Sequence, residues 1–257
     1  LLALKPEQLA AEKAFAASLR IEPDNARRLW VMGEALQRQN KLDEAIKHLE
    51  AALAISPDIA EACGTLGMAY AQQKKFAQAE KHLRRHVELE PISPHALANL
   101  GNVLFEMRRP EQAATFLQQA LRYDPAYAPA HMALFQAFLL SGKPNEAIQA
   151  LREARNALPH VPLLTFRLAW LLATSSRAEL QNPQEALQLA GKLYENRAPN
   201  ADELTLVAAA HAALGDFAQA TTHARNALAL AQARGDGAAV QRIEAQLRLY
   251  ESGRPYQ

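Results

Sequence analysis

Residues 60–93, AEACGTLGMAYAQQKKFAQAEKHLRRHVELEPIS, are one copy of a pattern that the chain repeats every 34 residues. The period is marked by five prolines and by four alanines, each of which precedes a proline by 12 residues. The prolines are Pro23, Pro57, Pro91, Pro125 and Pro159, and the alanines are Ala45, Ala79, Ala113 and Ala147. A fixed period of this length indicates one supersecondary unit copied and stacked, so we expect function on a surface rather than in a catalytic cluster.

Each copy contains two amphipathic helical patterns. The first places apolar or small residues at i, i+3, i+4 and i+7, which is one face of an α-helix. In the quoted copy these residues are Cys63, Leu66, Gly67 and Tyr70. The second pattern carries Ala79, Leu83 and His86, and the following proline ends that helix or opens the next turn. The pattern therefore predicts closely packed pairs of helices.

The same positions are those that the tetratricopeptide repeat family holds constant. Leu66, Gly67, Tyr70, Ala79 and Pro91 carry the resemblance in one copy, and it extends over almost the whole chain. The resemblance implies an all-α fold, a right-handed α-solenoid in which antiparallel helix pairs stack into a superhelix with a concave face. We expect about six and a half helix pairs and a C-terminal capping helix.

The period also predicts how the chain is divided. The expected segments are a partial repeat at 1–25, four regular repeats at 26–161, a fifth repeat with an insertion at 162–200, a sixth repeat at 201–234, and a capping helix with a tail at 235–257. The insertion of five residues lies near Ser175–Pro183. Because the chain opens within a repeat, we expect an apolar seam at Leu1–Leu4 and interpret the chain as part of a longer array.

From Leu168 onward the sequence resembles the closing region of bacterial multi-repeat envelope proteins. In several of these proteins the array follows a membrane-embedded domain, glycosyltransferase-like in some. This resemblance supplies an alternative function, a regulatory or substrate-presenting domain of a larger membrane or envelope enzyme whose catalytic part precedes this chain. The sequence does not decide between two locations for the protein, the bacterial cytoplasm and the periplasm. In either location, a region preceding this chain could tether it to the membrane.

Composition and motifs argue against several classes of function. The chain has 28 Lys and Arg against 27 Asp and Glu, so no strong field favours nucleic acid. With one cysteine, the chain cannot form an internal disulfide or a Cys-based zinc site. It also has no apolar run of the roughly 18 residues that a membrane span needs. No nucleophile triad, phosphate-binding glycine loop or HExxH motif is found. His82 and His86 have metal-ligand spacing but no third ligand nearby, so we expect no enzyme activity, cofactor or metal.

The predicted binding surface lies on the first helix of each repeat, opposite the packing stripe. Both tryptophans fall there, with methionines and phenylalanines between them. The predicted groove residues are Trp30, Glu34, Met68, His95, Asn102, Phe105, Met132, Gln136, Phe166 and Trp170. A row of aromatics and methionines suits an apolar peptide or helix. The alternative is that curvature buries most of these rings as ordinary packing.

The favoured function is a non-catalytic protein–protein interaction scaffold that binds a partner peptide or helix in this groove. Trp30, Phe105 and Trp170 are the expected anchors. A third hypothesis is self-association, in which the open seam at Leu1–Leu4 pairs with a second array.

Overall fold

The computed structural model describes residues 26–256, and this part of the chain consists of thirteen α-helices and one short 3-10 turn, with no β-strand. The predicted all-α class is therefore confirmed. The partial repeat predicted at 1–25, together with the seam at Leu1–Leu4, lies outside the described residues. The chain forms two compact parts, with the boundary between Ala137 and Phe138.

The first part is a stack of helix pairs. Its helices are α1 (Ala26–Arg38), α2 (Leu42–Ile55), α3 (Ala60–Gln72), α4 (Phe76–Leu89), α5 (Pro94–Glu106), α6 (Pro110–Tyr123) and most of α7 (Ala128–Leu140). Within each of the first three pairs the two helices pack along each other, and the second helices α2 and α4 also contact the next pair. The first helices α1, α3 and α5 contact one another in succession. Their faces that point away from the second helices therefore form a continuous wall.

The second part also contains helix pairs and ends in a single additional helix. Its helices are α8 (Pro144–Ala157), α9 (Pro162–Thr174), α10 (Pro183–Leu193), α11 (Ala201–Ala213), α12 (Phe217–Ala233) and α13 (Gly237–Glu251). The predicted insertion is a longer connection between α9 and α10 that contains the 3-10 turn Ala178–Leu180. Helix α13 packs on α12, as expected of a capping helix.

The turn between paired helices is a left-handed helix end that recurs at four positions. Asn40, Lys74, Arg108 and Gly142, spaced 34 residues apart, have φ angles of 61°, 60°, 60° and 67°. At Lys74, the following N–H of Lys75 donates to the Tyr70 carbonyl at 2.9 Å, and the N–H of Lys74 donates to the Ala71 carbonyl at 2.9 Å. This is the Schellman pattern, which satisfies two carbonyls at the end of a helix. It reverses the chain within three residues and makes the pair antiparallel.

The small residues of the period allow the two helices of a pair to approach closely. A Cβ placed on Gly67 would lie 2.6 Å from Leu83 Cγ and 3.2 Å from the Ala79 carbonyl oxygen. Leu83 and Ala79 are fully buried, so neither can move away without disturbing the core. A Cβ added at Gly33 would approach Leu49 in the same way, and one added at Gly101 would approach Leu117. The periodic glycine is therefore a packing requirement.

Candidate partner-binding site

The first part contains an open cavity of about 430 Å³ on the wall formed by α1, α3 and α5. Four of the predicted groove residues line it, namely Trp30, Glu34, Met68 and His95. The other lining residues are Gln37, Glu61, Gly64, Thr65, His86, Glu90, Ser93 and Asn99. Three successive first helices thus contribute to one concavity, which is large enough for a ligand side chain with its flanking backbone.

Trp30 spans two helices of this wall. Its indole Nε1 donates to Thr65 Oγ1 at 3.4 Å, and Thr65 Oγ1 donates to the Glu61 carbonyl at 2.7 Å. Trp30 and Met68 are both partly exposed. The indole is therefore oriented by a hydrogen bond at its polar edge while the side chain remains partly exposed.

His86 forms the floor of the cavity. The residue is 4% exposed, and its Nε2 lies 3.4 Å from Glu90 Oε2. Its ring edge rests on Gly64, where a Cβ would lie 2.6 Å from His86 Nδ1. Burial lowers the pKa of His86, and the nearby Glu90 carboxylate only partly opposes this effect. The imidazole is therefore neutral at physiological pH, and its Nδ1 has no hydrogen-bond partner among the described residues.

His95 and Asn99 form the side of the cavity that α5 supplies. The Asn99 amide nitrogen lies 3.4 Å from His95 Nδ1, and the rings of His86 and His95 approach edge to face with centroids 6.4 Å apart. His95 is exposed, whereas Asn99 is buried. This side is therefore a polar surface held by contacts between neighbouring repeats.

The other predicted groove residues of α5 and α7 lie apart from this cavity. Asn102 and Phe105 are partly buried on α5, and Met132 and Gln136 lie on α7, partly buried and exposed respectively. None of these four is among the residues that line the cavity. Their role in binding remains a prediction.

The two predicted groove residues of the second part contact the chain itself. Phe166 and Trp170, one turn apart on α9, stack with ring centroids 6.0 Å apart and an interplanar angle of 14°. Tyr256 in the C-terminal tail also lies against Trp170, with ring centroids 6.0 Å apart. Trp170 therefore has an intramolecular partner that the sequence does not predict.

The described residues, 26–256, contain no group of three His, Cys, Asp or Glu side chains arranged to hold a metal ion. His82 stacks on Tyr70 with centroids 5.7 Å apart, while His86 turns toward Glu90, so the two histidines have different surroundings. Over the same range, each helix is too short or too polar to cross a bilayer.

The sequence pattern does not predict that His86, Glu90 and Ser93 line the cavity. The period assigns His86 to packing, and Glu90 and Ser93 lie in the connection between repeats, where no binding position is expected. The one available signal is that His86 replaces the small residue found at its position in other copies. A larger side chain there requires space in the neighbouring helix, which Gly64 supplies.

The repeats match two family profiles. A profile described as tetratricopeptide repeat matches residues 37–100, 72–137 and 104–165, and a second of the same description matches residues 9–60. Together they cover more than half of the chain. The chain belongs to the tetratricopeptide repeat family. No curated protein sequence matches it.

Solved tetratricopeptide repeat structures have the same fold. PilF of Pseudomonas aeruginosa is 20% identical, with a TM-score of 0.63 over 87% of this chain and 98% of that one. MamA is 22% identical, with a TM-score of 0.56 over 58% of this chain and 86% of that one. YrrB, described as having an unusual peptide-binding site, is 17% identical, with a TM-score of 0.57 over 71% of this chain and 93% of that one. At these identities the likeness establishes the α-solenoid fold alone.

Proposed function

We propose that the chain is a non-catalytic protein–protein interaction scaffold that holds a peptide or helical segment of a partner against the wall of first helices. The observation that carries this proposal is the cavity of about 430 Å³ to which three successive first helices contribute. In this cavity the Trp30 indole is oriented by a hydrogen bond and the Met68 side chain is partly exposed. These two side chains suit a partner segment that is apolar and has polar neighbours. The peptide-binding site described for YrrB supports the same use of the fold.

Within the proposal, the ten predicted groove residues bind the partner and the aromatic side chains contribute most of the affinity. Trp30 and Phe105 are the anchors of the first part, and Trp170 is the anchor of the second. Buried aromatic anchors commonly contribute about 2 kcal/mol or more, roughly a thirtyfold change in Kd. Loss of all three is therefore expected to abolish binding without requiring any change in the helical array.

The proposal is tested by selecting binders from a displayed random peptide library. Selected peptides are then titrated, by fluorescence anisotropy, against the wild type and the triple variant Trp30→Ala/Phe105→Ala/Trp170→Ala. A matched triple variant removes exposed apolar side chains outside the predicted groove, Ile55→Ala/Ile92→Ala/Tyr123→Ala. Circular dichroism checks that all three proteins have the same helicity.

Peptides that bind the wild type and the matched control, but not the groove variant, would support the proposal. It would be wrong if the selection yields no specific peptide, or if the groove variant binds every selected peptide as tightly as the wild type does.

A further inference from the structure

We propose that the cavity of the first part binds an arginine side chain of the partner segment. This inference rests on the proposed function, because it specifies the chemistry of the segment that the wall would hold. Its basis is the combination of carboxylates, a buried unsatisfied acceptor and an open indole in one concavity.

The lining of the cavity carries negative charge. Glu34, Glu61 and Glu90 line the cavity, while none of its described lining residues is a lysine or an arginine. Glu34 is paired with Arg38 at 2.7 Å, so its charge is partly compensated. Glu61 is exposed and the Glu90 side chain is 42% exposed, and both can accept hydrogen bonds from a ligand. A cation entering the cavity therefore meets two carboxylates supplied by different parts of the repeat.

The cavity floor contains a buried ring nitrogen that has no hydrogen-bond partner among the described residues. With His86 Nε2–H directed to Glu90, Nδ1 is the acceptor nitrogen of a neutral imidazole. It lies against Gly64, itself a lining residue, and has no donor among the described residues. A buried acceptor without a donor is costly, so a ligand N–H that reaches this nitrogen by displacing the ring from Gly64 would be favoured. Glu61, Glu90 and His95 are the titratable groups that face this ring.

The indole of Trp30 supplies an aromatic surface to the cavity. A guanidinium is planar and stacks on an aromatic face while its edge donates up to five hydrogen bonds. The cavity offers that combination: Trp30 on α1, Glu61 on α3, and Glu90 with His86 at the end of α4. A neutral side chain of the same shape can stack on the indole but cannot form an ion pair with the carboxylates. Arginine is therefore the side chain that can contact the indole and pair with the carboxylates at the same time.

The experiment uses N-acetyl-arginine amide and its neutral isostere N-acetyl-citrulline amide as probes of the full chain. The chain has two tryptophans, so its ¹H–¹⁵N spectrum contains two indole signals. A Trp170→Phe variant assigns them, and the Trp170 signal serves as an internal control. We expect a saturable shift of the Trp30 indole with the arginine probe and an affinity for the citrulline probe that is about tenfold weaker.

Two variants with the same change in charge localise the effect. Glu90→Gln is expected to weaken arginine binding about threefold to fivefold. Glu88→Gln, two positions earlier and outside the cavity lining, is expected to leave the affinity unchanged. Both proteins are compared by thermal unfolding, so that a loss of folding is recognised.

The results separate this inference from the proposed function. The inference is overturned if neither probe shifts the Trp30 indole, if citrulline binds as tightly as arginine, or if the two glutamate variants behave alike. Library-selected peptides that bind the groove without a basic residue, and that are insensitive to Glu90→Gln, would likewise overturn it. In that last case the scaffold function would stand, whereas failure of the library selection would count against the scaffold function itself.

Discussion

The rings of Trp170 and Tyr256 lie with centroids 6.0 Å apart, so the C-terminal tail contacts a side chain that the sequence predicts as a partner anchor. Tyr256 also packs on the cluster of α11, α12 and α13 that contains Ala208, Ala212 and Tyr250. The tail therefore belongs to the packing of the second part, and any partner that reaches Trp170 meets Tyr256 as well.

Replacing Tyr256 with alanine is expected to expose Trp170 and to destabilise the second part by about 1–2 kcal/mol, because an aromatic pair and its buried area are lost. The measurement is acrylamide quenching of Trp170 fluorescence on a Trp30→Phe background, together with the melting temperature. Tyr123→Ala removes a tyrosine that is 55% exposed and should change neither quantity. Equal quenching in all three proteins would show that the tail does not cover Trp170.

The repeated left-handed turn predicts opposite effects of two glycine exchanges. Arg108 has a φ of 60°, so Arg108→Gly is expected to raise the free energy of unfolding by about 0.5–1 kcal/mol, because glycine adopts this conformation without strain. Gly142 has the same conformation with open space around it, and Gly142→Ala is expected to lower that free energy by about 1 kcal/mol. Urea unfolding measures both, and changes of the same sign would contradict the explanation.

The close approach of helices α3 and α4 predicts a large cost for one added methyl group. Gly67→Ala would place a Cβ 2.6 Å from Leu83 Cγ, and we expect destabilisation by about 1–3 kcal/mol as the helices separate. Gly191 is also helical, but a methyl group there would have no neighbouring atom within 4 Å, so Gly191→Ala should be neutral or stabilising by up to about 1 kcal/mol. Thermal unfolding of the two variants is the comparison, and a stable Gly67→Ala protein would refute the packing argument.

His86 predicts a loss of stability in mild acid. Burial lowers the pKa of His86 in the folded chain, so the unfolded chain takes up the proton first as the pH falls. The contribution of His86 to stability is therefore complete above the ordinary pKa of about 6.5 and is lost as the pH falls below it. We expect the urea midpoint to drop more between about pH 7.5 and 5.5 in the wild type than in His86→Gln.

His160→Gln is the control for that experiment, because His160 is an exposed side chain in the connection after α8. Its pH dependence should match that of the wild type. His82 and His223, whose pKa values are also lowered by burial, are retained in every protein and cancel in the comparison. Identical midpoints for the wild type and His86→Gln across this range would contradict the prediction.

Local periodicity is sufficient to predict the repeat length, the paired helices and the capping helix. Gly67, Ala79 and Leu83 recur at positions where only small or apolar side chains allow two helices to pack, and that recurrence is visible in the sequence. The same periodicity places Trp30, Glu34, Met68 and His95 on one face, and these four share the cavity.

What surrounds that face depends on the three-dimensional arrangement of the helices. His86, Glu90 and Gly64 reach the cavity from different elements, and Tyr256 reaches Trp170 across 86 positions of the chain. A helical period specifies the direction in which a residue points along its own helix, but not which side chain of a neighbouring repeat or of the tail fills the space opposite. Those contacts depend on how neighbouring helices approach, which is set by the packing of each stack.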